Sequence, residues 1–123
     1  MPIAHGTTRA VLCVGPYAIK FAKGKRGRRC NAYEAALWAK TTDVRRSMLC
    51  PIIAALPYGL AIVMRRAAPL SEAEKDYLIE TDGFPDWDYV PPDDTAPFEY
   101  KASDWGRLEG RLVALDYSAP ALD

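Results

Sequence analysis

The chain is poor in the residues that most catalytic and metal-binding machinery requires. It has a single histidine, His5, so a histidine-based triad or zinc centre has no second imidazole to draw on. Its three cysteines, Cys13, Cys30 and Cys50, are odd in number and widely spaced, which fits neither a disulfide framework nor a Cys-x-x-Cys metal site. Reduced, packed thiols are expected. No window approaches the roughly 18 consecutive apolar residues that a membrane span needs, so no membrane partner is expected. Residues 1–9 have no apolar run of the kind found in a secretory leader, and a cytoplasmic address is the expectation. With 123 residues and half of them apolar, one domain with a real core is expected over 1–123, the ends at about 1–8 and 118–123 being flexible.

Net charge is also absent, but the balance of 16 basic and 16 acidic residues conceals a division. Twelve of the basic residues and only two of the acidic ones lie at or before Arg66. The basic half suits an anion such as phosphate or nucleic acid, and the acidic half suits a metal or a basic protein surface. The densest positive run is Lys23-Gly24-Lys25-Arg26-Gly27-Arg28-Arg29, read as a solvated loop. Nucleic-acid binding through this half ranks below protein binding, because no aromatic residue suited to stacking interleaves with the run.

The apolar pattern gives an α+β chain. Arg9 to Gly15 and Tyr17 to Ala22 read as two antiparallel strands joined at Gly15-Pro16. In the second, Ala18, Lys20 and Ala22 share one face and Tyr17, Ile19 and Phe21 the other. Alternation therefore points the Lys20 ammonium away from the bulkier apolar layer, toward solvent or a cleft. Asn31 is expected to cap a helix reaching about Lys40, with Glu34 three residues on completing a capping-box variant and Tyr33, Ala36 and Leu37 forming the core stripe. Pro51 to Leu56 and Leu60 to Met64, around Pro57-Tyr58-Gly59, read as a buried hairpin. Ser71 and Glu74 predict a capped helix to about Glu80. The Pro- and Asp-rich stretch 81–97 reads as irregular, and Trp105 to Leu108 with Arg111 to Asp116 as a hairpin turning at Glu109-Gly110.

This order of parts resembles the protein-kinase-like fold, reduced and degenerate. Tyr17-Ala18-Ile19-Lys20 is similar to the family's Val-Ala-Ile-Lys strand, and Glu34 in Asn31-Ala32-Tyr33-Glu34 stands where the family's helix glutamate pairs with that lysine. Leu60 to Arg66 resembles the strand leading into the hinge. Glu99-Tyr100-Lys101-Ala102-Ser103-Asp104 resembles a degraded catalytic loop, and Asp116-Tyr117-Ser118 stands in for Asp-Phe-Gly. The resemblance implies an antiparallel sheet with one main packed helix, like a kinase N-lobe, plus a remnant of the catalytic-loop and metal-binding hairpin. It implies Lys20 and Met64 as cofactor-binding residues, Lys20, Glu34 and Glu99 as catalytic residues if the protein is active, and Asp104 and Asp116 as magnesium ligands.

Thr7-Thr8-Arg9, upstream of Lys20, lacks the glycines of a phosphate-covering loop, and only about 30 residues separate Arg66 from Glu99. The expected function is accordingly a non-catalytic, pseudokinase-like module without cofactor that binds and modulates a partner protein, such as a phage-encoded regulator of a host factor. The expected contacts are Lys25, Arg26, Arg28 and Arg29 on the basic run, and Trp87 and Tyr89 in the Pro-rich stretch. The alternative is a minimal phosphotransferase or nucleotide-binding protein using ATP and magnesium.

Overall fold

A computed structural model describes residues 3–6, 8–87 and 96–122. The architecture is α+β, built on two antiparallel sheets and one main helix. The chain divides into two compact units: Met1–Thr41 with Pro51–Arg66 and Ser118–Asp123, and Thr42–Cys50 with Ala67–Tyr117.

In the first unit, strands β1 (Ile3–His5), β2 (Arg9–Val14), β3 (Tyr17–Ala22), β4 (Ile52–Ala55) and β5 (Ala61–Arg65) form one antiparallel sheet in the order β1-β2-β3-β5-β4. Part of each stretch expected to be flexible is thus in regular structure: β1 at the start and a 3-10 turn over Ala119–Leu122. The 17-residue helix α1 (Gly24–Lys40) packs on the sheet. Its start differs from expectation. The run Lys23 to Arg29 is not a loop, since its residues from Gly24 onward are the first two turns of α1, and Asn31 lies inside the helix rather than at its cap.

The buried stripe of α1 is Gly27, Cys30, Asn31 and Glu34, spaced i, i+3, i+4, i+7. It replaces the expected stripe of Tyr33, Ala36 and Leu37, of which Ala36 is exposed and the other two are half-buried. Close approach decides the register. A Cβ on Gly27 would lie 2.1 Å from the carbonyl oxygen of Thr8 and 3.0 Å from Cα of Ala22, so any larger residue would push the helix off the sheet. Small Ala18 and Ala22 on β3 serve the same end. The Lys20 face is therefore the helix-covered face, with Ile62 and Met64 beside it in the register of β5. Tyr17 and Phe21, on the bulkier face, are the more exposed.

Strand β4 corrects a second expectation. It is the edge of the sheet and largely exposed, with Ile53 open to solvent, whereas β5 is mostly buried.

The second unit holds α2 (Asp43–Arg46), α3 (Glu72–Thr81) and a three-stranded antiparallel sheet of β6 (Ala68–Pro69), β7 (Trp105–Leu108) and β8 (Arg111–Ala114), in that order. Helix α3 opens on a complete capping box. Ser71 Oγ accepts from the Glu74 amide at 3.1 Å, and Glu74 Oε1 accepts from the Ser71 amide at 3.1 Å. The β7–β8 turn places Glu109 and Gly110 at φ of +54° and +78°, the conformation of a tight hairpin that favours glycine second. Residues 48–50 add to β8 in parallel, with Ala114 donating to the Met48 carbonyl at 2.8 Å and Cys50 donating to the Ala114 carbonyl at 2.9 Å.

The core of this unit is aromatic. Phe98 meets Trp105 at 4.7 Å, Trp87 at 5.7 Å and Tyr100 at 5.6 Å between ring centroids, each edge to face. Such pairs add about 0.5–1.5 kcal/mol beyond area burial.

Candidate functional site

Two buried cations of the first unit converge on Glu34, which is fully buried on the inner stripe of α1. Lys20 reaches it from β3, its Nζ donating to Oε1 at 3.1 Å and Oε2 at 3.3 Å. Arg9 reaches it from the start of β2. Its Nη1 donates to Glu34 Oε1, and its Nη2 donates to Oε2 at 3.4 Å. Because Val11 is opposite Lys20 and Arg9 is two residues from Val11, both cations project from the helix-covered face of the sheet.

Asn31 ties the cluster to the backbone. Its Oδ1 accepts from Arg9 Nη1 at 3.2 Å, and its Nδ2 donates to the carbonyls of Lys20 at 3.1 Å and Gly59 at 3.0 Å. Arg9 Nη2 also donates to Ser118 Oγ at 3.3 Å. Lys20 and Arg9 are each only 6 % exposed. Charges so far from water are tolerable only when each is paired and hydrogen-bonded, and removal of one partner from such a group typically costs about 3–5 kcal/mol. The predicted capping role of Glu34 is therefore incorrect: its carboxylate is spent on two cations, not on a helix start.

Met64 is buried on β5 opposite Ala18, as part of the packing beneath α1. Glu99, Asp104 and Asp116 belong to the second unit. Glu99 is exposed and lies 4.0 Å from the Lys101 ammonium, while its carbonyl accepts from Trp105 Nε1 at 3.0 Å. Asp104 is half-buried in the 3-10 turn Ala102–Asp104, and its carbonyl accepts from the Leu115 amide at 2.8 Å. Asp116 is exposed beyond the end of β8. Among the described residues no group of three or more His, Cys, Asp or Glu side chains is gathered as a metal would require.

No family model, curated protein or solved structure matches the chain.

Trp87 is not a surface contact: it is 1 % exposed, stacked under the Arg45 guanidinium at 4.4 Å, and its carbonyl accepts from Arg45 Nη2 at 3.2 Å. A large aromatic side chain in a Pro-rich stretch here supplies core, not contact surface. Tyr89 lies outside the described residues. Lys25, Arg26 and Arg29 are exposed and Arg28 is partly so, on a helix face instead of the expected loop.

The sequence reading missed Arg9, Asn31 and Ser118 as members of the cluster. A usable signal existed for Arg9, since a cation on the same face as Lys20 in the neighbouring strand is costly unless an anion lies between them. Also missed was an open groove of about 720 Å³ in the second unit, lined in part by Met48, Tyr77, Leu78, Phe84 and Leu112. At its rim Arg107 Nε donates to Glu74 Oε2 at 3.0 Å, whereas Arg111 is exposed. Hydrogen bonding from the Ser71 amide and from Arg107 holds the Glu74 carboxyl below its ordinary value of 4.5.

Proposed function

We propose that the protein is a non-catalytic binding module, built on a scaffold resembling the ATP-side lobe of protein kinases, that modulates a partner protein. The observation that carries this reading is the double grip on Glu34. In kinases the strand lysine pairs with the helix glutamate and is also offered to the nucleotide phosphates, beneath a glycine-rich loop. Here the β1–β2 connection leads directly into Arg9, whose guanidinium joins the ammonium on one buried carboxylate. Both positive groups are directed to the interior, where they join the helix to the sheet.

The groove of the second unit is the surface this reading assigns to the partner. Its apolar walls and the exposed Arg111 suit a peptide segment that carries bulky apolar side chains and one carboxylate.

The test is thermal shift with ATP and magnesium on the wild-type chain and on Lys20→Met. The module reading expects no saturable stabilisation of either. A binder at 100 times its Kd would gain about 2.7 kcal/mol, which a melt detects readily. Saturable stabilisation of the wild type that Lys20→Met abolishes would replace this reading with that of a nucleotide-binding phosphotransferase.

A further inference from the structure

The basic run has a property that its placement in a loop would have hidden. Lys25, Arg28, Arg29 and Ala32 are spaced i, i+3, i+4, i+7 and therefore share one face of α1, beside the buried stripe of Gly27, Cys30, Asn31 and Glu34. Arg26, itself exposed, adds a fourth cation on the same two turns. The only carboxylate of α1 is Glu34, already engaged by Arg9 and Lys20, and none of the four cations forms an ion pair among the described residues. Four unneutralised cations on two helical turns repel one another, and a polyanion relieves that repulsion.

Beside them stands an aromatic ring that the linear sequence keeps far away. Tyr58, in the turn before β5, is 86 % exposed, and it lines one shallow depression of about 620 Å³ with Lys25, Arg28, Arg29 and Ala32. Its position is set by rigid contacts rather than by chance. Gly59 is buried against α1 so closely that a Cβ there would lie 2.1 Å from the Arg28 carbonyl oxygen, and the buried Asn31 amide donates to the Gly59 carbonyl at 3.0 Å. Tyr58 itself has φ of +63°, where asparagine or glycine would be more comfortable. No packing requirement explains a large ring at a strained position that buries almost none of it.

We infer that this face binds single-stranded nucleic acid, with Lys25, Arg28 and Arg29 on the phosphates and a base stacked on Tyr58. A basic surface that tracks a backbone, with an exposed ring offering a π-face, is the combination by which single strands are held without sequence readout. Phosphate contacts alone would make the face a binder of any polyanion; the ring selects for unpaired bases. The inference concerns the first unit alone and does not depend on the partner-protein reading.

The experiment is fluorescence anisotropy of the intact chain with labelled 12-nucleotide single-stranded RNA, the corresponding single-stranded DNA, and a duplex of the same sequence, between 50 and 200 mM salt. Competition arms use inorganic polyphosphate and phosphatidylserine vesicles. Both single strands are expected to bind, and whichever binds more tightly identifies the sugar. The log–log salt slope should be about −2 to −3 for three or four phosphate contacts, and Arg28→Gln with Arg29→Gln should flatten it by about 1.4. Tyr58→Asn, which suits the positive φ and so preserves the turn, should weaken binding by roughly tenfold or more, while Tyr58→Phe retains it. Circular dichroism and melting of each variant exclude unfolding as the cause. The inference is overturned if nothing binds at 50 mM salt, if duplex, polyphosphate or vesicles bind as tightly as single strands, or if Tyr58→Asn binds like the wild type.

Discussion

Replacement of Glu34 by glutamine removes one charge and almost no volume, so it isolates the electrostatic role of the residue. In the wild type the carboxylate receives hydrogen bonds from Lys20 at 3.1 and 3.3 Å and from both terminal nitrogens of Arg9, with no exposure of its own. In Glu34→Gln two buried cations face a neutral amide that can accept on only one atom. The expected loss is about 3–5 kcal/mol, the range for breaking a buried ion pair from one side. At about 2.1 cal/mol/K of unfolding entropy per residue, a chain of 123 residues has a slope of about 0.26 kcal/mol/K, so the melting temperature should fall by roughly 10–20 °C. Urea denaturation gives the free energy, and hydrogen exchange of the α1 amides reads the first unit separately from the second. Glu72→Gln, at the exposed Glu72–Lys75 pair, is the control and should shift the melt by less than about 2 °C. A Glu34→Gln protein melting within about 3 °C of the wild type would refute the claim that this carboxylate holds α1 on the sheet.

Further outcomes follow from the same geometry. Lys20→Met should destabilise less than Glu34→Gln, because Arg9 remains to neutralise the carboxylate; an equal or larger loss by urea denaturation would mean that Arg9 does not compensate. Gly27→Ala should be among the most damaging single-methyl additions, since the new Cβ meets backbone of Thr8 and Ala22; native-like exchange protection of α1 in that variant would contradict the packing. Glu74 has a folded pKa below its ordinary value, so its ionised form stabilises the start of α3. That contribution is complete above about pH 4.5 and is lost as the pH falls through the lower folded value, which a carboxyl-detected titration would show and Glu74→Gln would abolish. Peptides selected from a random library on the wild-type chain, and counter-selected on Arg111→Glu, should carry an acidic residue beside bulky apolar ones; enrichment without acidic residues would remove the groove from the account.

What the sequence revealed was local. The Ser71–Glu74 cap, the Glu109-Gly110 hairpin and the Gly15-Pro16 turn each depend on residues within four positions of one another, so pattern and propensity suffice. What it hid depended on tertiary contact. Helix α1 begins among seven residues that include two glycines and five like charges, a poor helix by propensity, and the turns form there through tertiary contacts such as that of Gly27 with Thr8 and Ala22. Its buried stripe contains Asn31 and Glu34, which no hydrophobic periodicity would select, because Arg9 and Lys20 satisfy them from strands 11 and more residues away. Lys20 faces inward for the same reason: Ala18 and Ala22 clear a space that the helix fills, so the smaller side of β3 is the buried one. Trp87 and Tyr58 form an instructive pair. Both are aromatic residues in irregular segments, and only the fold shows that the first is core and the second is surface.

Lys20 Nζ donates to both carboxylate oxygens of Glu34, and the proposed function leaves that ammonium no nucleotide to hold. Direct NMR observation of the lysine side-chain NH3+ groups tests it, since a buried, ion-paired ammonium exchanges slowly enough with water to give its own signal. A protected Lys20 signal is expected that disappears in Lys20→Met, changes in Glu34→Gln, and stays in place when ATP and magnesium are added. A Lys20 signal that exchanges freely in the apo chain, or that shifts saturably with ATP and magnesium, would contradict it.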